Sequence, residues 1–157
     1  MPDVIEATLV DGGGEFAIVA ARFNDLVTGR LIEGCLTGFR RLGVSEDRVT
    51  VVWVPGSFEI PLVCLKLATS GRYAALIAVG AVVRGETAHF DHVAGAVSSG
   101  VAEVSRRTGL PVIFAVLTTN TMEQALDRAG GKLGNAGAKA AESAVEMANL
   151  LRHPDMP

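Results

Sequence analysis

The sequence predicts an α/β fold: a central parallel four-stranded sheet with helices on both faces, a three-layer α/β/α sandwich. Three observations carry that reading. Short apolar runs at residues 16–21, 49–54, 75–82 and 111–117 are almost continuous rather than alternating, as in strands buried on both sides. Longer stretches between them place apolar residues three and four apart, the pattern of helices crossing back over a sheet. No internal repeat or linker interrupts this alternation, so residues 1–157 read as one domain.

The first fourteen residues stand before the sheet. Residues 5–10 alternate apolar and polar positions and predict a short exposed strand, and Gly12, Gly13 and Gly14 predict a flexible hinge. That triplet precedes the first core strand, so it is not a phosphate loop. Residues 16–21 form the first core strand, which ends at Arg22-Phe23-Asn24-Asp25, where Asn24 or Asp25 is placed to cap a helix. Val27, Leu31, Cys35 and Phe39 line one face of that helix, and Gly43 stops it. Residues 49–54 make the second strand, and Pro61 opens the helix that follows. The third strand, residues 75–82, leads into a long helix carrying Phe90, Val93, Val97, Val101 and Val104, closed by Gly109 and Pro111. After the fourth strand, Thr121 and Gln124 stand at capping-box spacing. The last helix is broken at residues 130–135 and resumes near Ala136. Right-handed crossovers turn this order into a flavodoxin-like sandwich.

Composition narrows the function. Hydrophobic residues make up 49% of the chain but aromatics only 5%, so small side chains fill the core and helices can approach closely. That much apolar content also predicts self-association. A net charge of −3 without a Lys/Arg cluster argues against a nucleic-acid partner. No apolar stretch is long enough to span a membrane, and the first residues lack the basic start and apolar core of a secretory signal. Cys35 and Cys64 lie within predicted helices and read as small reduced hydrophobes, which predicts a cytoplasmic protein.

In a parallel sheet, ligands bind at the carboxyl ends of the strands. Those ends carry Arg22-Phe23-Asn24, Gly56-Ser57-Phe58-Glu59, Arg84-Gly85-Glu86-Thr87-Ala88-His89 and Thr118-Thr119-Asn120-Thr121. The N–H groups of Gly85, Glu86 and Thr87, close to a helix start, suit an anion such as phosphate. His89 is placed to move a proton on whatever bears that anion, with a purely structural hydrogen-bonding role as the alternative. Phe23 is a candidate to stack on a planar ligand, or else an interface or core residue. Glu59 is favoured by the helix dipole whether or not it binds anything. His89, Asp91 and His92 share one turn, but no further cluster supports a metal site. Arg128 and Lys132 flank the break in the last helix, Arg128 offering the better fork for a phosphate. The turn after the first core strand lacks the Gly-x-Gly-x-x-Gly of a dinucleotide site. The acidic cluster of a phospho-accepting domain is also missing.

Three motifs, in this order and spacing, resemble the lumazine synthase family: Val54-Pro55-Gly56-Ser57-Phe58-Glu59-Ile60-Pro61, then Gly80-Ala81-Val82-Val83-Arg84-Gly85-Glu86-Thr87-Ala88-His89-Phe90-Asp91, then Leu117-Thr118-Thr119-Asn120-Thr121-Met122-Glu123-Gln124-Ala125 with Arg128. The resemblance implies condensation of 5-amino-6-ribitylaminouracil with 3,4-dihydroxy-2-butanone 4-phosphate, without metal or organic cofactor. It implies that Phe23 stacks on the pyrimidine, and that Asn24, Gly56, Ser57, Phe58, Glu59, Ala81, Val82 and Val83 hold the ring and ribityl chain. Gly85, Glu86, Thr87 and Arg128 would bind phosphate, His89 would move protons, and Lys132 is a further cation nearby. It also implies a pentamer with intersubunit sites, Phe114 and Arg128 arriving from the second chain, and residues 5–10 pairing with a neighbour's sheet edge. A sixty-subunit shell and association with riboflavin synthase are compatible with it. Ala136 replaces a lysine common in relatives, Gly131 stands where Thr is common, and Glu86 brings a carboxylate near the phosphate. A catalytically weak lumazine- or riboflavin-binding shell is the alternative, though such a scaffold has no need of His89 or Arg128.

Overall fold

Four strands make one parallel sheet in the computed structural model, which describes residues 1–157. They are β1 (Glu15–Ala21), β2 (Val49–Val54), β3 (Tyr73–Val83) and β4 (Val112–Thr119), ordered β2-β1-β3-β4. Ile18 lies between Val51 and Ile77, and Ile77 in turn faces Ile113. Successive residues of β1 enter opposite cores. Phe16, Ile18 and Ala20 pack with α1 (Asp25–Arg41) and α5 (Ala136–Leu151). Ala17, Val19 and Ala21 pack with α2 (Ile60–Ala68) and α3 (His89–Thr108). With a core on each side no polar face is needed, which is why the strands read as unbroken apolar runs.

The small-residue composition becomes close helix packing. Buried Ala140, Ala141, Ala144 and Ala148 line α5. A Cβ on Gly38 would lie 2.9 Å from that of Ala141, and one on Gly137 would run into the backbone carbonyl oxygen of Leu31. Cys35 and Cys64 are free and buried, and burial pushes both thiols up to about 12. They are protonated fillers of the two cores.

The start of the chain differs from the reading above. Residues 5–10 form no strand within the chain. The Thr8 and Val10 carbonyls instead accept hydrogen bonds from Asn149 Nδ2, each at 2.9 Å. The glycine triplet is no loose hinge either. Asp11 takes both terminal nitrogens of Arg48 at 2.6 Å, Arg48 Nε donates to Gly14 O, and Arg152 donates to Gly13 O. Gly13 and Gly14 have φ of 95° and 94°, a region open to glycine at little cost. Here glycine supplies a fixed bend that side chains lock from both sides. The break at residues 130–135 is also structured. After α4 (Met122–Arg128), β5 (Ala129–Gly131) and β6 (Gly134–Asn135) pair antiparallel. Asn135 then caps α5 through the Gly137 and Ala138 N–H groups and donates to Arg30 O. The capping box at Thr121 and Gln124 is present.

Gly137→Ala should lose at least ~2 kcal/mol, because the obstacle is rigid backbone rather than a side chain able to turn away. Urea denaturation checks it. A second measurement tests the Asp11 clasp, whose guanidinium partner holds the carboxyl at about 2 against an ordinary 3.8. The folded value is the lower one, so this stabilisation is complete above the unfolded value and fades as pH falls from about 4 towards 2. Asp11→Asn should therefore be less stable than the parent by ~1 kcal/mol near neutral pH, with the gap closing in acid. Equal gaps at both pH values would remove the ion pair from the account.

Candidate active site

Because the strands are parallel, the loops after β1, β2 and β3 leave the sheet on one rim, and backbone hydrogen bonds carry the pairing past the strand ends. Arg22 N–H donates to Val54 O at 2.8 Å, Phe23 N–H to Pro55 O at 3.1 Å, and Arg84 N–H to Thr119 O at 2.8 Å. Asn24 adds a side-chain tie. It stands in the left-handed region (φ 64°, ψ 45°) and its Nδ2 donates to Ala81 O at 2.8 Å. Asn24 holds the expected N-cap position of α1, its carbonyl accepting from the Val27 and Thr28 N–H groups, but its side chain makes no capping bond and its amide ties the first loop to the end of β3 instead. Asn tolerates this backbone better than other non-glycine residues, and the turn leaves the Phe23 ring 71% exposed on the rim.

Between these loops lies a cleft of about 820 Å³. Phe23 and Asn24 come from the first loop, and Gly56, Ser57, Phe58 and Glu59 from the second. Ala81, Val82 and Val83 form the floor at the end of β3, and Gly85, Thr87 and His89 close one side. Gly80, next to this floor, lets Ser57 pack against β3: a Cβ there would sit 2.5 Å from the buried Ser57 Oγ. Pro55, Phe90, His92 and Val93 also line the cleft, a role that the sequence did not assign to them. His92 and Val93 lie three and four residues beyond His89, hence on the same face of α3, and that spacing was the available signal.

Other candidates stand elsewhere. Glu86 is exposed and outside the lining, although its loop neighbours are inside it. Phe114 faces Ala78 across β3 and β4 and is 43% exposed at the sheet edge. Arg128 lies at the end of α4, its Nη1 donating to Gln124 O at 3.2 Å, and Lys132 Nζ is 3.8 Å from Asp127. None of these four lines the cleft of its own chain. No group of three His, Cys, Asp or Glu side chains converges as metal ligands would. The cleft's walls are largely apolar, with hydrogen-bonding groups at a few points, the arrangement that seats a flat ring and orients its substituents.

Residues 13–152 match the family model described as 6,7-dimethyl-8-ribityllumazine synthase. The chain belongs to that family. The match covers the whole sheet, every loop of the cleft and both Phe114 and Arg128. As a member of the lumazine synthase family, the chain is a transferase of riboflavin biosynthesis that acts on small molecules, in a family that forms pentamer-based oligomers. No helix is long and apolar enough to cross a membrane.

Asn24→Ala should destabilise the fold by about 2 kcal/mol, from a lost hydrogen bond and a β-carbon forced into left-handed backbone. Asn24→Gly relieves the second cost and should be the milder change. Thermal unfolding of the two variants reads the difference, and the opposite ranking would mean that backbone conformation is irrelevant at this position.

Proposed function

We propose that the chain condenses 5-amino-6-ribitylaminouracil with 3,4-dihydroxy-2-butanone 4-phosphate, giving 6,7-dimethyl-8-ribityllumazine, phosphate and water. The observation that carries this reading is the division of the candidate residues. A ring-sized cleft gathers Phe23, Asn24, Glu59, Thr87 and His89, while Phe114 and Arg128 stand outside it on the same chain. One chain thus holds an incomplete site, and a second copy would supply the missing aromatic and the guanidinium. Exposed Leu26, Phe58, Leu62 and Phe114 supply apolar surface for such an assembly. Residues 5–10 form no strand within the chain and are held to it by side-chain bonds to the Thr8 and Val10 carbonyls; in this reading they add to a neighbour's sheet edge.

In this reading Phe23 stacks on the pyrimidine, and Asn24 with Ser57–Glu59 and the end of β3 orients ring and ribityl chain. Gly85 and Thr87, with Arg128 from the second copy, take the phosphate, and Lys132 adds positive charge nearby. The 5-amino group attacks the ketone carbonyl and loses water to form an imine. The phosphate then leaves by elimination, the enol so formed becomes a methyl ketone by proton transfer, and the ribityl-bearing nitrogen attacks that carbonyl carbon to close the second ring with loss of another water. His89 carries protons for these steps. Holding two reactive partners in contact supplies much of the acceleration. The site works in a cytoplasmic setting, where Cys35 and Cys64 stay reduced.

His89→Ala should slow turnover by ~10²-fold without abolishing it, as for loss of one positioned proton carrier. Arg128→Ala should be worse, with the larger effect on KM for the phosphorylated ketone. A continuous absorbance assay of lumazine formation measures both. An inert His89→Ala beside an unaffected Arg128→Ala would overturn this division of labour. Light scattering on the purified protein tests the shared site, which a monomer that turns over both substrates would refute.

A further inference from the structure

The turn of α3 that carries His89 has little beneath it. The first buried residue of α3 is Val97, two helical turns along, and residues 84–89 are all exposed. Phe90 and Val93 only partly reach the core. What ties this turn down is Arg84. Its backbone N–H is fixed to Thr119 O, and its side chain spans two elements. Nε donates to Asn120 Oδ1 at 3.0 Å in the loop after β4. The guanidinium lies 4.4 Å from the centre of the Phe90 ring and 3.6 Å from Asp91 Oδ1, both in the first turn of α3. Phe90 in turn lines the cleft beside His89.

We propose that Arg84 is a positioning residue: a guanidinium clamp that holds the His89 turn of α3 against the loop after β4. Its Nε is spent on Asn120 and its flat face on Phe90, so Arg84 acts through its neighbours and the phosphate falls to Gly85, Thr87 and Arg128. Guanidinium chemistry is what the place requires. A planar cation stacks on an aromatic ring while donating in its own plane, which an ammonium group does less well.

The test uses the full chain as Arg84→Ala, Arg84→Lys, Asn120→Ala and the Arg84→Ala/Asn120→Ala double variant, with two readouts. Amide hydrogen exchange is independent of the reaction, whereas the kinetic readout rests on the condensation proposed above. In Arg84→Ala, exchange at residues 91–96, the first hydrogen-bonded amides of α3, should quicken by ~10-fold while β1 and β3 stay protected, as for opening of one local unit. The kcat should fall ~10-fold, with KM for both substrates and inhibition by inorganic phosphate within about twofold, because orientation rather than affinity is lost. Arg84→Lys should fall between, and the double variant should be no worse than Arg84→Ala, since both remove one contact. Asn120→Ala alone decides the matter should Arg84→Ala fail to fold. Unchanged exchange at residues 91–96 overturns the clamp, as does loosened exchange with kcat intact. A rise confined to KM for the phosphorylated ketone would make Arg84 a phosphate ligand and equally overturn it. A parent protein that forms no lumazine refutes the proposed reaction, and the exchange measurement still decides the clamp.

Discussion

Parallel pairing places the carboxyl ends of all four strands on one rim, and the chain has to leave that rim through loops whose polar backbone must be satisfied. These loops solve this by borrowing a partner from the neighbouring loop or strand end. Phe23 N–H uses Pro55 O, Asn24 Nδ2 uses Ala81 O, and Arg84 N–H uses Thr119 O. The loops are therefore a linked set, and the cleft between them takes its shape from these cross-ties as much as from the strands. Buried backbone groups without partners are costly, so the lattice of ties is stabilising in itself and arranges the cleft as a by-product.

Small residues act at two scales. Gly137 and Gly38, with the alanines of α5, let two helices meet almost backbone to backbone under one face of the sheet. On the other face Gly80 removes a side chain where Ser57 needs to lie. In both places the missing Cβ allows a close approach between elements far apart in sequence.

The exposed aromatic and aliphatic side chains belong to the same logic. A chain with so much apolar content and only two thin cores cannot cover all of it, and Phe58, Leu62 and Phe114 are left outside. Family membership joins this surplus to a pentamer-based assembly. Residues left over by the single fold are then the ones available for contact between copies. The N-terminal arm is clamped at Asp11 and the glycines and tied to Asn149 through the Thr8 and Val10 carbonyls, so its direction of exit is set by its own chain.

Sequence alone determined the fold class, the strand and helix order and most of the cleft. Apolar periodicity and capping chemistry are local, and a parallel sheet obliges the strand ends to converge whatever the side chains. Tertiary structure decided what two distant segments do to each other. Asn24 keeps the N-cap position but turns its amide to a carbonyl 57 residues away, and the apparent glycine hinge is rigid because Arg48 and Arg152 reach it. Phe90 and His92 joined the cleft on helical geometry that the motifs did not emphasise. Arg84 became a candidate only once Asn120 and Phe90 were seen on either side of it. Long-range hydrogen bonds and ring stacking depend on relative position, and no pattern of neighbours along the chain encodes that.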